Sequence, residues 1–227
     1  MVVNGEQLSA RRVGTYLLGI FTVSLGIVLC KQSGLGISPI SSVPLVLSEV
    51  TPLSFGSLIS VFHFANTGAQ MVLGHRFHDP MLWLQVLLAF VFGRTVDWIN
   101  AVLTVNSTVL VWQLLAMALS VFFTALGMIM MLDQNLIQNP PDGTVRQISV
   151  LTGIELGSVK VVYDGVCVIL SALLGLLFLH RLEGFGLATI VSALFVGRTV
   201  IWIRKGQQAV TTGFQVGLFR HHHSVPG

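Results

Sequence analysis

Six stretches of eighteen or more mostly apolar residues follow one another along the chain, parted by short polar segments. They run from Val13 to Cys30, Pro52 to Leu73, Met81 to Val102, Val109 to Met131, Gly157 to Leu179 and Gly186 to Ile203. The fourth lies inside a charge-free stretch from Trp98 to Leu132. A hydrocarbon core about 30 Å thick is crossed by about 20 apolar residues in a helix. No water reaches a backbone there, so each crossing segment must satisfy its own N–H and C=O groups, which a helix does. The pattern therefore predicts an all-α, polytopic membrane bundle of six transmembrane helices.

Composition agrees and excludes other classes. Only 9% of the 227 residues are Asp, Glu, Lys or Arg and 53% are hydrophobic, against roughly 25% charged in a soluble domain. The mean hydropathy is +0.84. These values exclude a soluble enzyme, a disordered chain and a free nucleic-acid-binding domain. The net charge of +3 reports basic cytoplasmic loops, and no Lys/Arg run calls for nucleic acid. Cys30 and Cys167 sit in apolar runs and read as small hydrophobes, with a disulfide as the alternative. Arg11 and Arg12 precede the first run, but no small-x-small cleavage site follows it. It reads as an uncleaved first span.

The chain also repeats itself. At an offset of 101 residues, Phe21 falls on Phe122, Leu25-Gly26 on Leu126-Gly127, Pro39 on Pro140, Ser48 on Ser149, Thr51 on Thr152 and Gly56-Ser57 on Gly157-Ser158. With three more residues inserted, Gly93-Arg94-Thr95-Val96 falls on Gly197-Arg198-Thr199-Val200, and Trp98 on Trp202. Each copy holds three spans, and an odd number reverses the second copy in the membrane. The expected organisation is a tail over 1–12, repeat 1 over 13–104, repeat 2 over 109–205 and a second tail over 206–227. Placing both termini in the cytoplasm of a plasma (inner) membrane puts Arg11, Arg12, Arg76, Arg146, Arg204, Lys205 and Arg220 inside. Only Lys31 and Arg181 are then left outside.

Each repeat also holds a short segment that does not fit as a span. Ser38-Pro39 and Asn139-Pro140 each offer an N-cap with proline at the first helical position. The helices expected there run from about Pro39 to Glu49 and from about Pro140 to Val150, roughly 16 Å each. Thr51-Pro52 offers the start of the next helix, and Thr152 with Glu155 the pattern of a capping box. Broken half-helices of this kind form polar-substrate sites where they line a cavity. A short helix lying in the interface is the alternative.

The stretch Gly34-Leu35-Gly36-Ile37-Ser38-Pro39-Ile40-Ser41-Ser42-Val43-Pro44 with Leu53-Ser54-Phe55-Gly56 resembles the YczE/YyaS/YitT group of bacterial membrane proteins. Pro140-Pro141-Asp142-Gly143, Thr152-Gly153 and Leu156-Gly157-Ser158 fit the same pattern, and the likeness runs from about Val13 to Lys205. The Ser-Pro-Ile-Ser-Ser form matches one subgroup; the acid many relatives carry at the first broken segment is absent, as is the extra soluble domain of the YitT type. The resemblance implies a multi-pass plasma-membrane protein and brings no substrate.

Polar residues at membrane depth are costly and face the bundle interior. His63, Asn66 and Gln70 share one face of the second span at spacings of three and four. Lys160 and Asp164, four apart with Tyr163 between them, mark the fifth, and the offset of 101 places His63 on Asp164. Together with Asp142 they are the candidate substrate-binding or proton-relay residues, since imidazole titrates near neutral pH. A structural Lys160–Asp164 salt bridge is the plainer reading. Arg94 and Arg198 are candidate gating or anion-binding arginines; snorkelling beside the interfacial Trp98 and Trp202 is the alternative. An Arg94–Asp97 pair is expected, while Ile201 stands where a second acid would. Asp142 and Glu155 flank the second broken segment, with helix capping and dipole pairing as the plainer reading and coordination as the alternative; Glu49, at the end of the first broken helix, is open in the same way. His75, His78 and Asp79 lack a fourth ligand and are not read as a metal site. His221-His222-His223 reads as a solvated tail.

No cofactor is expected, and no nucleophile–base motif calls for an enzyme. The expected partners are the lipid bilayer and a small-molecule or ion substrate, with a homo-oligomer open and no nucleic acid. The reading is a small-solute secondary transporter or permease with its site between inverted repeats. A non-transporting scaffold, using Gly14, Gly19, Ser24 and Gly26 for helix contacts, is the alternative.

Overall fold

The residues that interrupt the apolar runs set the helix ends in a computed structural model of the chain. It describes residues 2–3, 6–7, 9–104, 109–181 and 184–222, with side chains over 9–104, 109–181 and 184–205. A two-residue antiparallel ribbon, β1 (Val2–Val3) with β2 (Glu6–Gln7), precedes eight helices. These are α1 (Ala10–Gln32), α2 (Pro39–Val50), α3 (Phe55–Gly74), α4 (Pro80–Val102), α5 (Leu110–Gln134), α6 (Pro140–Thr152), α7 (Leu156–Leu174) and α8 (Leu187–His222). A π-helical turn, Gly175–Leu179, prolongs α7. The all-α membrane bundle is as expected.

Among the described residues, five helices are long and apolar enough to cross a bilayer: α1, α4, α5, α7 through Leu179, and α8 through Lys205. The remaining expected span, α3, has 20 residues, about 30 Å of helix. His63, Asn66 and Gln70 lower its apolarity, and all three are buried against other helices.

Local chemistry explains most ends. Asp79 caps α4 by accepting the Met81 N–H at 2.9 Å, with Pro80 at the first position. His75 and Asn135 close α3 and α5 in the left-handed region, at φ 50 and 48. The polar loop that holds His75 and Asp79 is thus a helix stop followed by a helix start.

Three expectations are corrected. First, α3 starts at Phe55, because Ser54 accepts the Ser57 N–H at 3.2 Å. Thr51 instead closes α2, donating to the Leu47 carbonyl. Second, the Thr152–Glu155 capping box does not form. Thr152 ends α6 and bonds back to Ile148, while Glu155 holds the N-cap position of α7 with no side-chain bond. Third, the sixth apolar span ends at Arg204-Lys205 as expected, but the helix that holds it continues beyond them. Those charges mark where apolarity ends, and no proline follows to break the helix before Pro226. The side chains of the 206–227 tail, His221–His223 included, lie outside the described residues.

At the centre α1 packs lengthwise on α5. A Cβ on Gly26 would lie 2.3 Å from Thr124 Oγ1, and one on Gly127 2.6 Å from the Val23 nitrogen. Lipid gives helices no hydrophobic reason to associate, so close contact through small residues does it. The glycines at 19 and 26 on the first span are therefore buried within the chain, against α5. The two helices run antiparallel. Arg12 at the start of α1 donates to the Gln134 carbonyl at the end of α5 at 2.5 Å, and Gln32 at the far end of α1 bonds Leu103 after α4.

Around this axis α2 packs on α7 and α3 on α6, while α4 packs on α1 and α8 on α5. Exchanging the halves of the chain turns each of these pairs into the other. One pairing breaks the rule: α3 packs closely on α4, whereas α7 and α8 barely touch.

Candidate functional site

The inward face of α3 organises the polar interior. Gln70 Nε2 donates to Gln85 Oε1 on α4 at 3.1 Å and to the Pro140 carbonyl on α6 at 3.0 Å. Thr67 donates to the same Gln85 oxygen at 3.3 Å. Thr144 of α6 donates to the Asn66 carbonyl at 3.0 Å. Tyr163 of α7 donates its hydroxyl to Asn66 Oδ1 at 2.7 Å. Four helices are thus tied through one polar stripe, which satisfies groups that would be expensive to bury alone.

Next to this stripe lie three charges. Lys160 Nζ is 2.6 Å from Asp164 Oδ1, one turn away on α7, and 4.0 Å from Asp142 Oδ1 on α6. Asn139 Nδ2 also donates to Asp142, at 3.3 Å. The lysine and the Asp142 side chain are about a third exposed, and Asp164 less so. They face a cavity of about 1420 Å³ that reaches from α2 and α3 to α8, and His63 lines it too. His63 is 5% exposed, its ring centroid lies 5.2 Å from that of Phe92, and its Nδ1 has no hydrogen-bond partner.

Of the residues singled out in the sequence, His63, Gln70, Asp142, Lys160 and Asp164 line this one cavity, whereas Asn66 does not and instead accepts from Tyr163. His63 makes no hydrogen bond to the charged trio. The two arginines sit elsewhere. Arg94 pairs with Asp97 at 3.3 Å, bonds Ser57, and lies over Phe90, half exposed. Arg198 is exposed over Phe195. Neither lines the cavity. Trp98 and Trp202 are both more than half exposed.

Gln85 was absent from the expected set although its signal was available, since it is the one polar side chain in the first half of the third span. Thr67 and Thr144 gave no such signal, because hydroxyls also bond their own helix backbone.

The short helices start as expected at Pro39 and Pro140, but neither Ser38 nor Asn139 makes a side-chain cap bond. Ser38 donates to Ser41, and Asn139 to Asp142. Both helices enter the bundle, with Ser42, Val46, Pro141 and Val145 almost completely buried.

The fold defines a polytopic helical bundle with apolar spans and a polar interior. The chain belongs to DUF6198, a family of unknown function, whose model matches residues 10–205. No curated protein and no solved structure matches it.

Proposed function

We propose that this protein is a secondary transporter or permease for a small solute. The site would lie between two inverted repeats, in a plasma (inner) membrane with both termini cytoplasmic. One observation carries the reading: a cavity large enough for a solute has Lys160, Asp142 and Asp164 on its wall, where α6 and α7 meet the polar face of α3. Charged groups at membrane depth mark substrate and ion pathways, and polar sites at the meeting of broken helices are the habit of inverted-repeat carriers. The offset of 101 and the exchange-related packing of α2 on α7 and α3 on α6 support the inversion. Arg12, Arg204 and Asp133 gather at one end of the bundle, which supports a shared face for the two tails. Membership of the YczE/YyaS/YitT group remains part of this proposal and adds no activity to it.

The test is uptake into proteoliposomes across a panel of small amines, amino acids, carboxylates and inorganic ions, with a pH-sensitive dye inside. Uptake of at least one solute is expected, with loss in Asp164→Asn. No movement of any solute, together with no effect of Asp164→Asn on dye response, would sink the reading.

A further inference from the structure

The two halves carry the same seam in two conditions. In the first half, α3 and α4 meet at Gly56 and Gly93. A Cβ on Gly56 would sit 2.1 Å from the Gly93 carbonyl oxygen, so only glycines permit the approach. Asp97 of α4 clasps the start of α3, accepting the Gly56 N–H at 2.8 Å and the Ser54 hydroxyl at 2.6 Å. Arg94 reaches across to Ser57. Ser60 donates to the Ala89 carbonyl at 3.0 Å further along.

The counterparts in the second half are Gly157 for Gly56, Gly197 for Gly93, Ser158 for Ser57 and Arg198 for Arg94. There the glycines stand apart. A Cβ on Gly197 would meet nothing within 4 Å, and one on Gly157 only Glu155 of its own helix, at 3.8 Å. Both glycines line the cavity, and Lys160 and Asp164 follow Gly157 by one and two turns on α7. The cavity therefore occupies the seam that is closed in the first half.

The clasp is transposed across that open seam. Asp97 becomes Ile201, and its partner Ser54 becomes Glu155, so the acid moves from the later helix to the earlier one. We infer that α7 and α8 form a gate over the cavity. It closes when Gly157 meets Gly197 and Glu155 pairs with Arg198, while α3 and α4 stay clasped. Glycine at 197 in a span with no close neighbour, and an arginine beside it with no carboxylate partner among the described residues, are what an unmade contact leaves behind. An ion pair between exposed side chains is weak and screened by salt, which suits a contact that must open again. The gate would serve the transport reading, but its motion is measurable with no substrate and stands or falls apart from uptake.

The test is pulsed electron–electron resonance on the full chain in nanodiscs, with Cys30 and Cys167 replaced by serine. Spin labels go on Val162→Cys and Trp202→Cys, whose native side chains are exposed, and on the counterpart pair Val61→Cys and Trp98→Cys, exposed as well. The Val61–Trp98 pair is expected to give one distance. The Val162–Trp202 pair is expected to give two, the shorter matching the first pair. Gly197→Leu should remove the shorter population and leave the longer; Glu155→Gln should reduce it. A single population at Val162–Trp202, long or short, or a short one that survives Gly197→Leu, would overturn the gate.

Discussion

The α1–α5 axis and the corner where α3, α4, α6 and α7 meet are both buried, and they are held by different means. Along the axis, Gly19, Gly26 and Gly127 let backbone approach backbone, with the Arg12 bond to the Gln134 carbonyl at one end. In the corner, Gln70, Gln85, Asn66, Thr144 and Tyr163 tie four helices with directional bonds. Shape fixes the axis, where any added atom must collide. Polar pairing fixes the corner, where one lost bond leaves the others in place. A mean interhelical bond in a membrane is worth only about 0.6 kcal/mol, so the corner can yield while the axis cannot.

The largest effect should come from the axis. Gly26→Leu would drive a side chain into Thr124 and the Ser120 carbonyl, and overpacking typically costs about 1–3 kcal/mol or more. Loss of the monodisperse peak in size-exclusion chromatography is expected, whereas Gly14→Leu, with nothing within 4 Å, should leave it intact. Equal behaviour of these two variants would break the contrast.

In the corner, Gln70→Leu leaves the Pro140 carbonyl with Thr144 and Gln85 Oε1 with Thr67, but it strands Gln85 Nε2, which donates to Gln70. A loss of about 1–2 kcal/mol, read as a lower midpoint in thermal unfolding, is expected. Lys160→Met should cost less, about 1 kcal/mol or below, because the trio is partly exposed. Lys160→Met with Asp164→Asn should recover most of that loss by removing the unpaired carboxylate. Tyr163→Phe deletes a single bond to Asn66 and should cost about 0.6 kcal/mol. The smallest effect belongs to Arg204→Gln. Its pair with Asp133 is about half exposed on both sides, and about 0.5 kcal/mol or less is expected.

Much of this was legible in the residues, for definite reasons. Charges and prolines bounded most helices to within a few residues, because both are costly in an apolar helix interior; α8, which runs past Arg204-Lys205, is the exception. The spacing of His63, Asn66 and Gln70 revealed an inward face. Two things were hidden. The role of Gly143, whose missing side chain makes room for the Gln70 amide, depends on how α6 lies on α3, and no spacing within either helix states that. The unequal seams were hidden because matching glycines look alike in a sequence. Only coordinates reveal that Asp97 has closed one pair and that Ile201 leaves the other unclasped.

The two prolines that begin α6 have a consequence for selectivity. A helix start attracts anions through its unpaired N–H groups, and Pro140 and Pro141 have none to offer. Gly143 already donates to the Asn139 carbonyl at 2.9 Å. Of the first helical turn, the Asp142 N–H is the one donor left. The charge on the cavity wall therefore comes from Asp142, Lys160 and Asp164, groups on movable stems that one substitution can invert. A fixed rack of backbone amides would resist such retuning; under the transport proposal this wall invites it, and relatives that differ at these three positions would then differ in what they admit.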